Sequence, residues 1–119
     1  MAKHNELGRD GEIRAVAFLQ QSGYHVLETN WRFGKAEIDI LATKGDLLVA
    51  VEVKARSAIT FGLPQDFVNP KKIRLLVSAV NRWCETQRWE GNVRFDIVAL
   101  VREGDQWQLE HIEDAFYMF

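Results

Sequence analysis

Glu37-Ile38-Asp39 and Val51-Glu52-Val53-Lys54 place three carboxylates and a lysine inside two short apolar runs, the second beginning twelve residues after Asp39. Core packing requires none of these charges. In the second run the acid and the lysine alternate with valines. A strand there carries Glu52 and Lys54 on one face and Val49, Val51 and Val53 on the other. If the two runs are neighbouring strands, Asp39 and Glu52 reach the same side of a sheet. Two such carboxylates suit a hard divalent cation, Mg²⁺ or Mn²⁺, which completes its octahedral shell with water. Lys54 then stands beside the cation, placed to orient a water and to neutralise charge on a phosphate. The chemistry that uses this set is metal-dependent hydrolysis of a phosphodiester. A cross-strand ion pair between Lys54 and either acid would occupy the same residues without catalysis.

Turn signals define the elements that must position these groups. The pattern predicts a helix from about Leu7 to Gln21, closed by Ser22-Gly23. Strands follow at Tyr24 to Trp31, Ala36 to Ala42 and Leu47 to Ala55, joined by turns at Phe33-Gly34-Lys35 and Lys44-Gly45-Asp46. A looser loop from Arg56 to Val68 contains Gly62 and Pro64. Asn69-Pro70 reads as an N-cap with proline at the first helical position. The helix it opens carries Ile73, Leu76, Val77, Val80, Trp83 and Cys84 as one apolar stripe. Val93 to Val101 and Trp107 to Ile112 complete the pattern, separated by Glu103-Gly104-Asp105. The order is α-β-β-β-α-β-β, which implies a mixed α/β domain with helices packed on a central sheet.

The first helix offers one more carboxylate. At about 100° per residue, Gly8, Ala15, Val16 and Leu19 fall within roughly 60° of Glu12. Glu12 is therefore expected in the small-residue stripe facing the sheet. A buried glutamate is costly unless a metal or a cation pairs it, and Arg9 or Arg32 would serve as well. Lys71, Lys72 and Arg74 crowd the start of the second helix, where the backbone favours an anion over a cation. A docked phosphate would resolve that conflict, plain solvated lysines being the equal alternative, and Lys72 leans toward the sheet. Arg32 and Arg56 are further candidate contacts to a phosphate backbone, with solvation at the surface the favoured alternative. Glu37 shares the parity of Asp39 and reads as a residue at the site's edge or a partner for Arg32. Arg94 and Asp96 read as a structural pair. The four tryptophans need no role beyond packing.

Bulk properties restrict the alternatives. At 119 residues the chain is read as a single domain over 1–119, its core spanning about 7–101 and a C-terminal strand and apolar tail spanning 106–119. No apolar run approaches the roughly 20 residues of a membrane helix, and the first residues lack a secretory core. Cys84 is the only cysteine, which excludes an internal disulfide and suits a reducing cytoplasm. The three histidines show no metal-ligand spacing. Net charge is −2 and the pI about 5.9, an unfavourable balance for binding nucleic acid. Its distribution matters more. Lys54 to Arg74 holds five basic residues and one acid, while Glu103 to the terminus holds five acids and no Lys or Arg. The basic segment directly follows the suspected metal strand.

Taken together, Gly11-Glu12, Asn30-Trp31-Arg32, Glu37-Ile38-Asp39-Ile40 and Val51-Glu52-Val53-Lys54-Ala55-Arg56 resemble the YraN-like family of uncharacterised bacterial proteins. Phe61-Gly62, Lys72 and Arg94-Phe95-Asp96 extend the resemblance from Leu7 to about Leu100. That family is similar to archaeal Holliday-junction resolvases and to the PD-(D/E)XK nuclease superfamily. The resemblance implies a restriction-endonuclease-like core and an active site of Glu12, Asp39, Glu52 and Lys54. It also implies DNA as partner, branched or damaged structures as substrates, and a homodimer. One departure is visible: the family's Gly-Glu-Ile-Asp is Ala36-Glu37-Ile38-Asp39 here, preceded by Gly34-Lys35, which implies a different turn. A non-catalytic module that binds nucleic acid or protein on the same fold is the alternative expectation.

Overall fold

The structure, a computed structural model, describes residues 6–57 and 69–115. Its elements are α1 (Glu6–Gln21), β1 (His25–Phe33), β2 (Ala36–Lys44), β3 (Leu47–Ser57), α2 (Pro70–Gln87), β4 (Asn92–Glu103) and β5 (Gln106–Ile112). The order is the one the turn signals predict. Phe61, Gly62, Pro64 and the tail residues 116–119 lie outside the described residues.

Each boundary has a local cause. The α1 helix stops where Gly23, at φ +93°, turns the chain back, and the Tyr24 N–H reaches the Leu19 carbonyl at 2.9 Å. Gly34 and Lys35 form a two-residue hairpin between the paired Phe33 and Ala36, with Gly34 at φ +60°. The glycine displaced from the family pattern thus occupies the tight turn itself. At α2, Asn69 keeps an extended backbone and its Oδ1 accepts the Lys72 N–H at 2.9 Å, with Pro70 beginning the helix.

The five strands pair in chain order, β1-β2-β3-β4-β5. Only β3 and β4 run parallel, joined by the crossover that contains α2; the other pairs are antiparallel. This mixed sheet is compatible with a restriction-endonuclease-like core. Two apolar cores cover its faces. Ala36, Ile38, Leu41, Leu48, Ala50 and Phe95 pack with Leu76, Ala79, Val80 and Trp83 of α2. Ile40, Ala42, Val49, Val51, Val98 and Leu100 pack with Ala15 and Leu19 of α1. The α2 stripe matches the predicted one, with Ala79 joining it and Val77 and Cys84 at its margin.

The α1 helix corrects one expectation. Its buried stripe keeps the predicted Ala15 and Leu19, with Val16 packed beside them, but is completed by Gly11 in place of Glu12. The reason is a close approach of backbones. A Cβ built on Gly11 would lie 2.7 Å from the Ala55 Cβ, so the helix settles on β3 through the residue that lacks one. Glu12 is thereby rotated to the edge of the contact and is half-buried.

A polar network is buried in the α1 face. Asp96 is 0% exposed and accepts Arg94 Nε at Oδ1 and Arg94 Nη2 at Oδ2, both at 2.8 Å. The Asp114 N–H also reaches Oδ1, at 3.0 Å, and His111 Nε2 lies 2.7 Å from Oδ2. Arg94 Nη2 donates to the Tyr24 hydroxyl at 2.8 Å, and the Asp96 carboxylate holds this guanidinium firmly charged. The expected Arg94–Asp96 pair is therefore the centre of a satisfied cluster. Asp96→Ala should cost about 3 kcal/mol in urea denaturation, because it leaves the half-buried Arg94 guanidinium only Tyr24 and the more distant Glu113 as partners. Gly11→Val should cost about 1–3 kcal/mol, and a second change, Ala55→Gly, should recover part of that loss by removing the opposing methyl.

Candidate active site

Asp39 sits where two strands part. The β2–β3 ladder runs from Lys44 opposite Leu47 to Ile40 opposite Val51 and stops there. Beyond it the Asp39 Oδ2 accepts the Val53 N–H at 2.9 Å, replacing a backbone carbonyl with a side chain. Across β1, Asn30 adopts φ +52° between the Thr29–Ile40 and Trp31–Ile38 pairs. Alternation along β2 breaks at this point: Ile38 and Leu41 join the α2 core, Ile40 and Ala42 the α1 core. The break holds the Asp39 carboxylate against β3 instead of in a regular ladder.

Glu52 follows the simple rule. Val51 packs in the α1 core, so Glu52 faces the α2 side, where it is only 7% exposed. Its Oε2 lies 3.3 Å from Lys54 Nζ and 3.1 Å from Lys72 Nζ on the first turn of α2. Glu12 reaches the same region from α1, its Oε1 accepting from Asn30 Nδ2 at 3.0 Å. Glu12, Glu37, Asp39, Glu52, Lys54, Arg56 and Lys72 line one cleft of about 230 Å³. A recess of about 150 Å³ continues past Lys35, Glu37, Asp39, Glu52 and Lys72. A larger depression, about 500 Å³, runs past Phe33, Arg74 and Arg82 and contains none of the four predicted catalytic residues.

All four of those residues therefore meet in one place. Of the proposed phosphate contacts, Arg56 and Lys72 line the cleft. Arg32 is held at its rim by an ion pair with Glu37 at 3.4 Å, and Lys71 is exposed on α2. The arginine partner considered for Glu12 is replaced by Asn30. Position alone does not flag that asparagine, because its left-handed backbone is a property of the folded hairpin. Lys72 touches Glu52 directly, a closer role than a leaning toward the sheet suggested.

The electrostatics reflect crowded burial. The Asp39 carboxyl is pushed up to about 7, by burial first and by the Glu52 charge next, with Glu12 and Glu37 adding to it. The Val53 N–H opposes that rise. Burial also lowers the Lys54 pKa, and the neighbouring Lys72 lowers it further, against the attraction of Glu52. Burial works against the Lys72 charge as well, yet Lys54 and Glu52 together hold its pKa above the ordinary value. A lysine that surrenders its proton more readily beside an acid that keeps one more readily is a pattern of functional sites.

The donor set fits a hard cation. The Glu52 charge disfavours that of Asp39, a conflict that a divalent ion between them would relieve. Among the described residues no three His, Cys, Asp or Glu side chains form a ready ligand group. Two carboxylates with the remaining positions left to water match Mg²⁺ rather than a closed zinc site. Asp39→Asn should stabilise the metal-free protein above pH 7, by on the order of 1 kcal/mol at pH 8 in urea denaturation. Wild type binds an extra proton in its folded state between the ordinary carboxylate range and pH 7, so it loses stability as pH rises through that window. The variant should show a flatter profile there.

Comparison with known proteins agrees with the motif pattern. The uncharacterised protein family UPF0102 matches residues 11–100. A UPF0102 protein of Flavobacterium psychrophilum is 56% identical over 119 residues, covering all of both chains. One from Flavobacterium johnsoniae is 51% identical over 123 residues, again covering all of both. One from Parabacteroides distasonis is 45% identical over 117 residues, covering 98% of this chain and 97% of its own. The family match spans both the helix of Glu12 and the strands of Asp39, Glu52 and Lys54, and the chain belongs to the UPF0102, or YraN, family.

Proposed function

We propose that this domain is a Mg²⁺-dependent endonuclease that hydrolyses DNA phosphodiesters, with branched or damaged DNA as its substrates. The observation that carries this reading is the convergence of Glu12, Asp39, Glu52 and Lys54, from one helix and two strands, on a single cleft. A bound Mg²⁺ supplies Lewis acidity toward the phosphoryl oxygen and a water of lowered pKa. Asp39 and Glu52 are the side chains that would hold it. Glu12, kept in place by Asn30, stands at the edge of the cleft to bind an outer-shell water. Lys54 is the group to orient the attacking water and, once it has lost its own proton, to accept one from that water; burial already disfavours its ammonium. Arg56 and Lys72 line the cleft where the flanking phosphates would lie, with Arg32 and Lys71 farther out. A reducing cytoplasm and a homodimer that matches a two-fold junction belong to the same proposal.

A non-catalytic nucleic-acid- or protein-binding module is the second reading. It is favoured by the engagement of Glu52 with two lysines, and the net charge of −2 suits weak or partner-assisted binding.

Labelled junction, flap, single-stranded and duplex DNA, incubated with and without Mg²⁺ or Mn²⁺, separates the two. Cleavage that requires the metal and falls at least about 100-fold in Glu52→Gln supports the enzyme. Salt-sensitive binding without cleavage supports the module. Mg²⁺ should also raise the melting temperature more at pH 8 than at pH 6, since a cation at Asp39 must displace the proton held there below about 7. An equal shift at both values would remove Asp39 from the ligand set.

A further inference from the structure

The Glu52 Oε2 atom has two ammonium groups within 3.3 Å, and they are held very differently. Lys54 is on the same strand and its side chain is 13% exposed; Lys72 comes from α2 and is 48% exposed. The α2 backbone at Lys72 is fixed by the Asn69 cap, whose Oδ1 accepts its N–H at 2.9 Å. Only the four-carbon stem of Lys72 is therefore free to move, and that stem can swing its charge away without disturbing the helix. A divalent cation that used Glu52 would meet two like charges at the same carboxylate. Both cannot stay while the cation binds, and the exposed one costs less to return to water.

We propose that Lys72 is a built-in substitute for the divalent cation, neutralising Glu52 while no metal is bound and leaving that oxygen when a cation arrives. This rests on the reading of the cleft as a metal site. Released, Lys72 stands on the first turn of α2 beside Lys71 and Arg74, at a helix N-terminus. A phosphate backbone there would receive the charge that the carboxylate has given up. Cation and DNA binding are then positively coupled through one side chain, and the coupling is reciprocal. The substitution also explains how the metal-free protein tolerates an almost fully buried glutamate beside Asp39.

The test is Mn²⁺ binding by the full chain at pH 8.5, followed through the electron paramagnetic resonance signal of free Mn²⁺. Lys72→Met should tighten binding about tenfold by removing the competitor, and Lys72→Gln should do the same. Lys72→Arg, which can still pair with Glu52, and Lys44→Met, which removes a distant charge, should leave the affinity near that of wild type. Thermal melts identify any variant that is unfolded, and the Met and Gln variants serve as each other's control. Unchanged or weaker Mn²⁺ binding in folded Lys72→Met and Lys72→Gln overturns the proposal while the metal site stands. No Mn²⁺ binding by wild type or by either variant overturns the metal site and the proposal together. As a second readout, Ca²⁺ should increase the anisotropy-measured DNA affinity of wild type severalfold more than that of Lys72→Met. Equal increases would overturn the coupling to DNA.

Discussion

The Glu52 carboxylate is the group around which the rest of the cleft is arranged. An ionised acid almost removed from water is costly, and a second acid nearby makes it more so. The fold answers with cations from two directions: Lys54 on the same strand and Lys72 from the helix that crosses over the sheet. Neither lysine is at rest in this arrangement, since burial works against both charges and their proximity disfavours Lys54 in particular. Asp39 and Glu52 are thus matched in number by Lys54 and Lys72, yet the individual charges are stressed. A site that must accept a cation and a phosphate in turn requires groups that can give up one partner for another.

Asp96 shows the contrast. It is as deeply buried as any residue in the chain, yet its oxygens receive two bonds from Arg94, a backbone N–H and the His111 ring. Every strong donor around it is fixed by strand pairing or by the turn after β5, and nothing there opens into the cleft. Its work is to tie β4, β5 and Tyr24 together on the α1 face. The two buried carboxylates among the described residues therefore serve opposite ends. One is satisfied and holds the architecture; the other is compensated by movable charges beside a cavity.

Position, as much as composition, makes the cleft. The β2–β3 ladder ends just before Asp39, and the aspartate carboxylate takes the N–H that the ladder leaves unpaired at Val53. Parted strands open room between β2 and β3, and the broken alternation of β2 directs Asp39 into it. On the other side Gly11 lets α1 rest on Ala55 at a distance no other residue permits, which sets how far Glu12 can extend. The close contact and the parted strands together place acids from three elements around a volume of a few water molecules.

Much of this was legible in the linear order of residues. Turn glycines, the Asn69-Pro70 cap and the spacing of apolar residues dictate which segments are helix and which are strand, because those signals act over a few bonds. Strict alternation likewise determines that Glu52 and Lys54 share a face, since β3 is regular there. The failures occur where regularity fails. The stripe of α1 keeps Ala15 and Leu19 but turns toward Gly11 and away from Glu12, because a glycine-mediated backbone contact is invisible to periodicity. Asn30 as the partner of Glu12, and Lys72 as a direct neighbour of Glu52, depend on a left-handed residue and on the docking of α2. Local sequence determines secondary structure and side-chain parity through short-range sterics. Which charges meet in the cleft was decided only when distant elements packed, because burial and Coulomb interactions have no value until the partners are brought together.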